Sequence, residues 1–143
     1  MKCTTVIDKL REEEVIIYSH CRSAEIEKIE SFVSSLGTEL TGYIDRTAVK
    51  LELNEIHFFT VDDGKVYAFT QTEKYLIRLR LYKVEEMLNQ SFVKINQSCI
   101  ANIRKIKRFD AAFSGAMRIT FKNGCTDYVS RRQLKTVKER IGL

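Results

Sequence analysis

Proline is absent from all 143 residues, so no rigid spacer holds one part of the chain away from another. Early and late segments are therefore expected to pack together. Six glycines are too few and too scattered for a phosphate-cradling loop, and no G-x-S-x-G elbow occurs. The two histidines, His20 and His57, stand apart from any motif for nucleophilic or metal chemistry. His57, flanked by Ile56 and Phe58-Phe59, reads as a packed or surface side chain. The four cysteines, Cys3, Cys21, Cys99 and Cys125, form no C-x-x-C pair and have no histidine at ligand spacing, as expected of free thiols in a reducing cytosol. No apolar h-region opens the chain and no run approaches the length of a membrane span. The expectation is a cytoplasmic protein that is not an integral membrane protein, with no metal, no cofactor and no enzymatic activity. The acid pairs Asp62-Asp63 and Glu85-Glu86 fall on a turn and on the polar side of a short helix, where solvation explains them.

What is present is charge, unevenly spread. Residues 1–40 hold 5 Lys/Arg against 8 Asp/Glu, and residues 91–143 hold 12 against 3. Positive charge so concentrated attracts polyanions, either nucleic acid or an anionic membrane surface. The length suits one domain with at most a small appendage.

The periodicity predicts a mostly β (α+β) chain preceded by a small β-β-α segment over 1–40. Thr4–Ile7 and Val15–Tyr18 are β-favouring runs. Ser23 is placed to cap a helix carrying Ile26, Ile29, Val33 and Leu36 on one face, with Gly37 as its stop. Strands are expected at Ala48–Leu53, Ile56–Val61, Val66–Thr70 and Tyr75–Leu79, with Asp62–Lys65 as a hairpin turn. A short helix with Leu81, Val84, Met87 and Leu88 on one face comes next. Phe92–Ile95, Cys99–Ile103, Ile106–Phe109, Met117–Phe121 and Thr126–Val129 complete the strands, the last two joined at Asn123-Gly124. A terminal helix is predicted from Ser130, with Gln133 closing a capping box and Leu134, Val137 and Ile141 facing inward.

Two basic features stand out. Arg104-Lys105-Ile106-Lys107-Arg108 reads equally as a charge-protected edge strand or as a phosphate contact. Arg131 and Arg132, placed in the first turn of the terminal helix, would face the positive end of its dipole and so favour a bound anion such as a DNA phosphate.

The phrases Phe92-Val93-Lys94-Ile95-Asn96-Gln97-Ser98-Cys99-Ile100-Ala101-Asn102 and Tyr128-Val129-Ser130-Arg131-Arg132-Gln133-Leu134-Lys135 resemble the LytTR family of bacterial DNA-binding domains. Members share a phrase like F-x-R-x-H-[RN]-S-x-I-V-N and a closing V-S-R-R-x-L-K. The match extends back through Ile56–Phe59 and the Asp62–Lys65 turn, covering roughly 42–143. The resemblance implies a domain at 41–143 of elongated packed β-sheets with short helices, whose loops reach into the major grooves of duplex DNA. Carried across by position, the contacting residues are Lys65, Lys94, Asn96, Gln97, Ser98, Arg131 and Arg132. Lys94 stands for the usual arginine, keeping the charge without the fork, and Asn96 for the usual histidine; Asn96 and Gln97 suit bidentate reading of adenine.

Many relatives carry a receiver domain ahead of this part, and some forty residues are too few for one. A short, stand-alone transcription regulator is expected, a homodimer at least on DNA with repeated half-sites, and with a regulatory protein partner as its possible signal. The acidic segment 1–40 would serve dimerisation or partner docking. Two further readings stay open: a basic module docking an acidic or membrane-protein partner, and RNA binding, which the absence of an aromatic stacking platform disfavours.

Overall fold

A computed structural model of the chain describes residues 1–36, 38–111 and 115–143. Among these described residues ten strands form two antiparallel sheets, joined by three helices and two 3-10 turns. In the first sheet, β1 (Leu40–Ile44), β2 (Thr47–Leu51), β3 (Phe58–Asp62), β4 (Lys65–Phe69), β5 (Lys74–Ile77), β6 (Phe92–Asn96) and β7 (Cys99–Asn102) lie in the order β2-β1-β5-β4-β3-β7-β6. The second, ordered β10-β9-β8, holds β8 (Ile106–Ala111), β9 (Met117–Phe121) and β10 (Thr126–Val129).

The large sheet is covered on both faces, which explains why β3 and β7 read as continuous apolar runs rather than alternating ones. One face packs Phe59, Val66, Ala68, Ile77 and Ile100 against Leu81 and Val84 of α2 (Leu81–Met87). The other packs Phe58, Val93, Ile95 and Ala101 against Ile119, Phe121 and Val129 of the second sheet and Val137 of α3 (Leu134–Ile141). Phe58 sits at the seam, stacked on Phe69 and tilted against Phe121, both with centroids 4.5 Å away.

Turn chemistry fixes the hairpins. Asp63 and Gly64 both adopt positive φ, 49° and 72°, as a two-residue type I′ connection requires. At Asn123-Gly124 only the glycine is positive; Asn123 instead accepts from the Cys125 N–H and donates to the Thr70 carbonyl, pinning the second sheet to the first.

Several expectations need correction. No strand forms at Thr4–Ile7 or Val15–Tyr18: residues 1–23 are irregular, and Val6, Ile7 and Tyr18 remain largely exposed. A four-residue run gains strand structure only from a partner, and the fold offers these none. The helix that follows is present as α1 (Ala24–Ser35), with Ser23 accepting from the Ile26 N–H as foreseen. Ile26 is buried, but Leu36 stays exposed, and Gly37 lies outside the described residues. The segment expected at Ala48–Leu53 is strand only to Leu51, after which Leu53–Glu55 turn as a 3-10 helix. β1 was not foreseen.

The terminal helix begins at Leu134, and Gln133 provides no side-chain cap. Ser130 acts instead through its backbone, accepting from the Gln133 N–H and donating to the Ile95 carbonyl. Arg131 and Arg132 therefore occupy a turn ahead of the helix, and the argument from its dipole loses its footing.

Candidate nucleic-acid interface

Strand register brings three connections to one end of the molecule. Thr60 on β3 pairs with Cys99 on β7, while the Val61 N–H donates to the Ser98 carbonyl at 2.9 Å. The β3–β4 turn at Asp63-Gly64 and the β6–β7 turn at Gln97-Ser98 thus lie side by side. Between Lys94 and Asn96 the register shifts by one residue, a bulge of the kind that re-aims neighbouring side chains. The extra residue is Ile95, whose carbonyl receives the Ser130 N–H at 2.9 Å. That bond brings Arg131 and Arg132 to the flank of the second turn.

Lys65, Gln97, Ser98, Arg131 and Arg132 are all exposed at this end. Lys65 faces Asp62 across the first turn, and the Arg131 side chain lies beside Gly115 in the β8–β9 connection. Gln97 and Ser98 occupy the turn tip, where a carboxamide and a hydroxyl can meet the hydrogen-bonding edges of a base.

Asn96 is placed differently. Its Nδ2 donates to Asp127 Oδ1 at 3.0 Å and to the Tyr128 carbonyl at 2.8 Å, and its Oδ1 accepts from the Ser98 N–H at 2.9 Å. Both amide hydrogens are already used, so bidentate reading of adenine would require breaking them. The geometry fits Asn96 as the tie that holds the Gln97-Ser98 turn against β10. Asp127 is the hub of this tie, since it also accepts from the Tyr128 N–H at 2.7 Å. Beneath it the Cys99 thiol is pushed well above its ordinary value, by burial first and then by the Asp127 charge and hydrogen bond. It stays protonated and is a packing residue rather than a nucleophile.

Lys94 points away from the tip. Its ammonium lies 3.9 Å from Glu85 of α2, on the face covered by that helix. The basic run resolves in favour of the edge-strand reading for its second half: β8 is the outer strand of its sheet, and Arg108 pairs with Asp110 at 3.0 Å. Asp127 was missed from the sequence, because the partners that tie it to the turn, Asn96 and Cys99, are far off in the chain and no local pattern announces them.

The comparisons agree with this fold. The LytTr DNA-binding domain profile matches residues 46–142. HTH-type transcriptional regulators of Staphylococcus aureus, from strains bovine RF122 / ET3-1 and NCTC 8325 / PS 47, are each 31% identical over 146 residues, spanning 100% of this chain and 99% of theirs. A solved LytTr DNA-binding domain from Bacillus cereus superposes with a TM-score of 0.69 at 18% identity, covering 73% of this chain and 97% of that one. The chain belongs to the LytTr DNA-binding domain family. Among the described residues its three helices are separated by strands, so none forms a helix-turn-helix pair, and no helix is long and apolar enough to cross a membrane.

Proposed function

We propose that this chain is a bacterial transcription regulator that binds duplex DNA sequence-specifically, reading the major groove through turns rather than a recognition helix. The observation that carries the reading is the convergence of the Asp63-Gly64, Gln97-Ser98 and Arg131-Arg132 turns at one end of the molecule. In this reading Gln97 and Ser98 meet base edges, while Lys65, Arg131 and Arg132 hold phosphates, with a guanine also within the chemistry of the arginine fork. Asn96 positions the reading turn, and Lys94 contributes charge from behind it. The unit that binds is 41–143, with 1–40 appended to it. Two copies acting on repeated half-sites in the cytoplasm would supply the affinity and spacing that a single small domain lacks.

Selecting bound duplexes from a random pool tests this directly. A recovered motif, bound roughly 10³-fold or more tighter than scrambled DNA of the same length, is the expected result. Failure to enrich any sequence, with binding equal across duplexes, would return the chain to the class of basic docking modules.

A further inference from the structure

The end of the large sheet opposite those turns carries a polar cavity of about 320 Å³. It lies between α1 and the region where β7 runs into the 3-10 turn at Ile103–Lys105. Three cations line it, Arg104, Lys105 and Lys122, and no carboxylate does. Lys105 and Lys122 are held together by the backbone bond from the Lys122 N–H to the Lys105 carbonyl, 2.9 Å. Arg104 Nη2 donates to the Lys28 carbonyl of α1 at 2.9 Å, which joins the helix to the cation cluster. Among the described residues none of the three forms a salt bridge.

Like charges gathered without counter-charge raise the free energy of the fold, and the cost is visible next door. His57, 2% exposed with Nδ1 lacking a hydrogen-bond partner, is held below the ordinary imidazole value by burial first, and then by Lys105 and Lys122. An anion in the cavity would relieve the crowding of the cations and the share of the His57 shift that Lys105 and Lys122 cause, leaving the share from burial.

We propose that this cavity binds a small phosphate-bearing molecule, its anionic group held by Lys105, Lys122 and Arg104 and its remaining polar atoms by Asn54, Ser31 and Ser91. The volume matches a small metabolite. A duplex gripped at the turns lies a five-residue strand away, roughly 15 Å, so the two sites do not compete for one phosphate. Because Ser31 belongs to α1 and Asn54 and Ser91 to the domain beneath it, the ligand bridges the two and fastens the helix in place.

The test uses the full chain with inorganic phosphate as probe, against chloride at constant ionic strength. Phosphate at about tenfold its Kd is expected to raise the melting midpoint by roughly 4–6 °C. It should also move the His57 imidazole titration, followed by NMR, to higher pH. Both responses should vanish in Lys105→Gln/Lys122→Gln, whose His57 already titrates higher without phosphate, and persist in Arg132→Ala. The single variant Lys122→Gln, at an exposed position, weakens both responses should the double variant fail to fold. No phosphate-specific response in the natural chain, a response that survives loss of both lysines, or one that disappears with Arg132 overturns the proposal. So does a His57 shift produced by duplex DNA and not by phosphate, which would make the cavity a contact for nucleic-acid backbone.

Discussion

At the scale of single residues, the carboxamides of Asn96 and Gln97 look interchangeable in the sequence and are separated by their hydrogen bonds. Gln97→Ala is expected to cost about 1–3 kcal/mol on the preferred duplex and to leave binding to scrambled DNA nearly unchanged, as measured by competition titration. Asn96→Ala should lose discrimination through a misplaced turn, and Asp127→Ala, which meets the turn through Asn96 and Cys99, should reproduce that loss. If Asp127→Ala keeps full discrimination while Asn96→Ala does not, Asn96 reads the base itself. His57 supplies a second residue-scale prediction. Its folded pKa lies below its unfolded one, near 6.5, so the unfolded chain binds the extra proton as pH falls. Stability is therefore greatest above about pH 6.5 and declines through the window below it, down to the folded pKa. Denaturant titrations of His57→Gln should show a flatter acid limb than the natural chain, even where the substitution lowers stability overall. An unchanged acid slope would mean that other groups carry it.

At the scale of elements, legibility followed locality. The Asp62–Lys65 hairpin, the Asn123-Gly124 turn and the Ser23 cap declare themselves because the conformations they need are chemically specific and close in sequence. β1 did not, since Gly42 interrupts its pattern; a Cβ there would lie 2.6 Å from Leu51 Cδ1 and 2.7 Å from Tyr75 Cβ, so the glycine serves close strand approach and not a turn. Gly42→Ala is expected to destabilise by about 1–3 kcal/mol in chemical denaturation. The runs at Thr4–Ile7 and Val15–Tyr18 misled for the converse reason: propensity without a partner makes no strand. The segment 1–40 accordingly divides at Ser23. Removing residues 1–22 should leave the melting midpoint within about a degree, since they contribute little buried surface, whereas Ile26→Asp places a charge in the contact that docks a helix too short to persist alone. Hydrogen exchange reads the difference: protection of α1 should survive the deletion and collapse in Ile26→Asp. Protection unaffected by the aspartate would show that α1 is held by Arg104, which donates to the Lys28 carbonyl, and by Asn89, whose Nδ2 donates to the Ser31 carbonyl at 3.4 Å, rather than by its apolar face.

For the molecule as a whole, the family and fold class could be read in advance because they rest on separated phrases and periodicity, while the site's inner wiring could not, because it joins β6 to β10 across the space between two sheets. Charge distribution gives the last prediction. The surplus of cations over residues 91–143 is shared between two ends of the fold: Arg131 and Arg132 flank the reading turns, while Arg104, Lys105 and Lys122 lie at the far end. Only the first group, with Lys65 in support, is placed to neutralise phosphates of a duplex held at the tip, since Lys94 faces Glu85 of α2. Each phosphate neutralised contributes roughly −0.9 to the slope of log Kobs against log salt, so about three contacts per protomer are expected on that scale, fewer than the total charge would allow. Arg132→Ala should weaken all duplexes together and reduce the slope by about one unit, while Lys122→Gln should leave the slope unchanged, both measured in phosphate-free buffer. A slope near zero for the natural chain would remove DNA as the partner. Equal reductions from the two substitutions would mean that the duplex runs along the whole length of the sheet, and that the two ends form one surface.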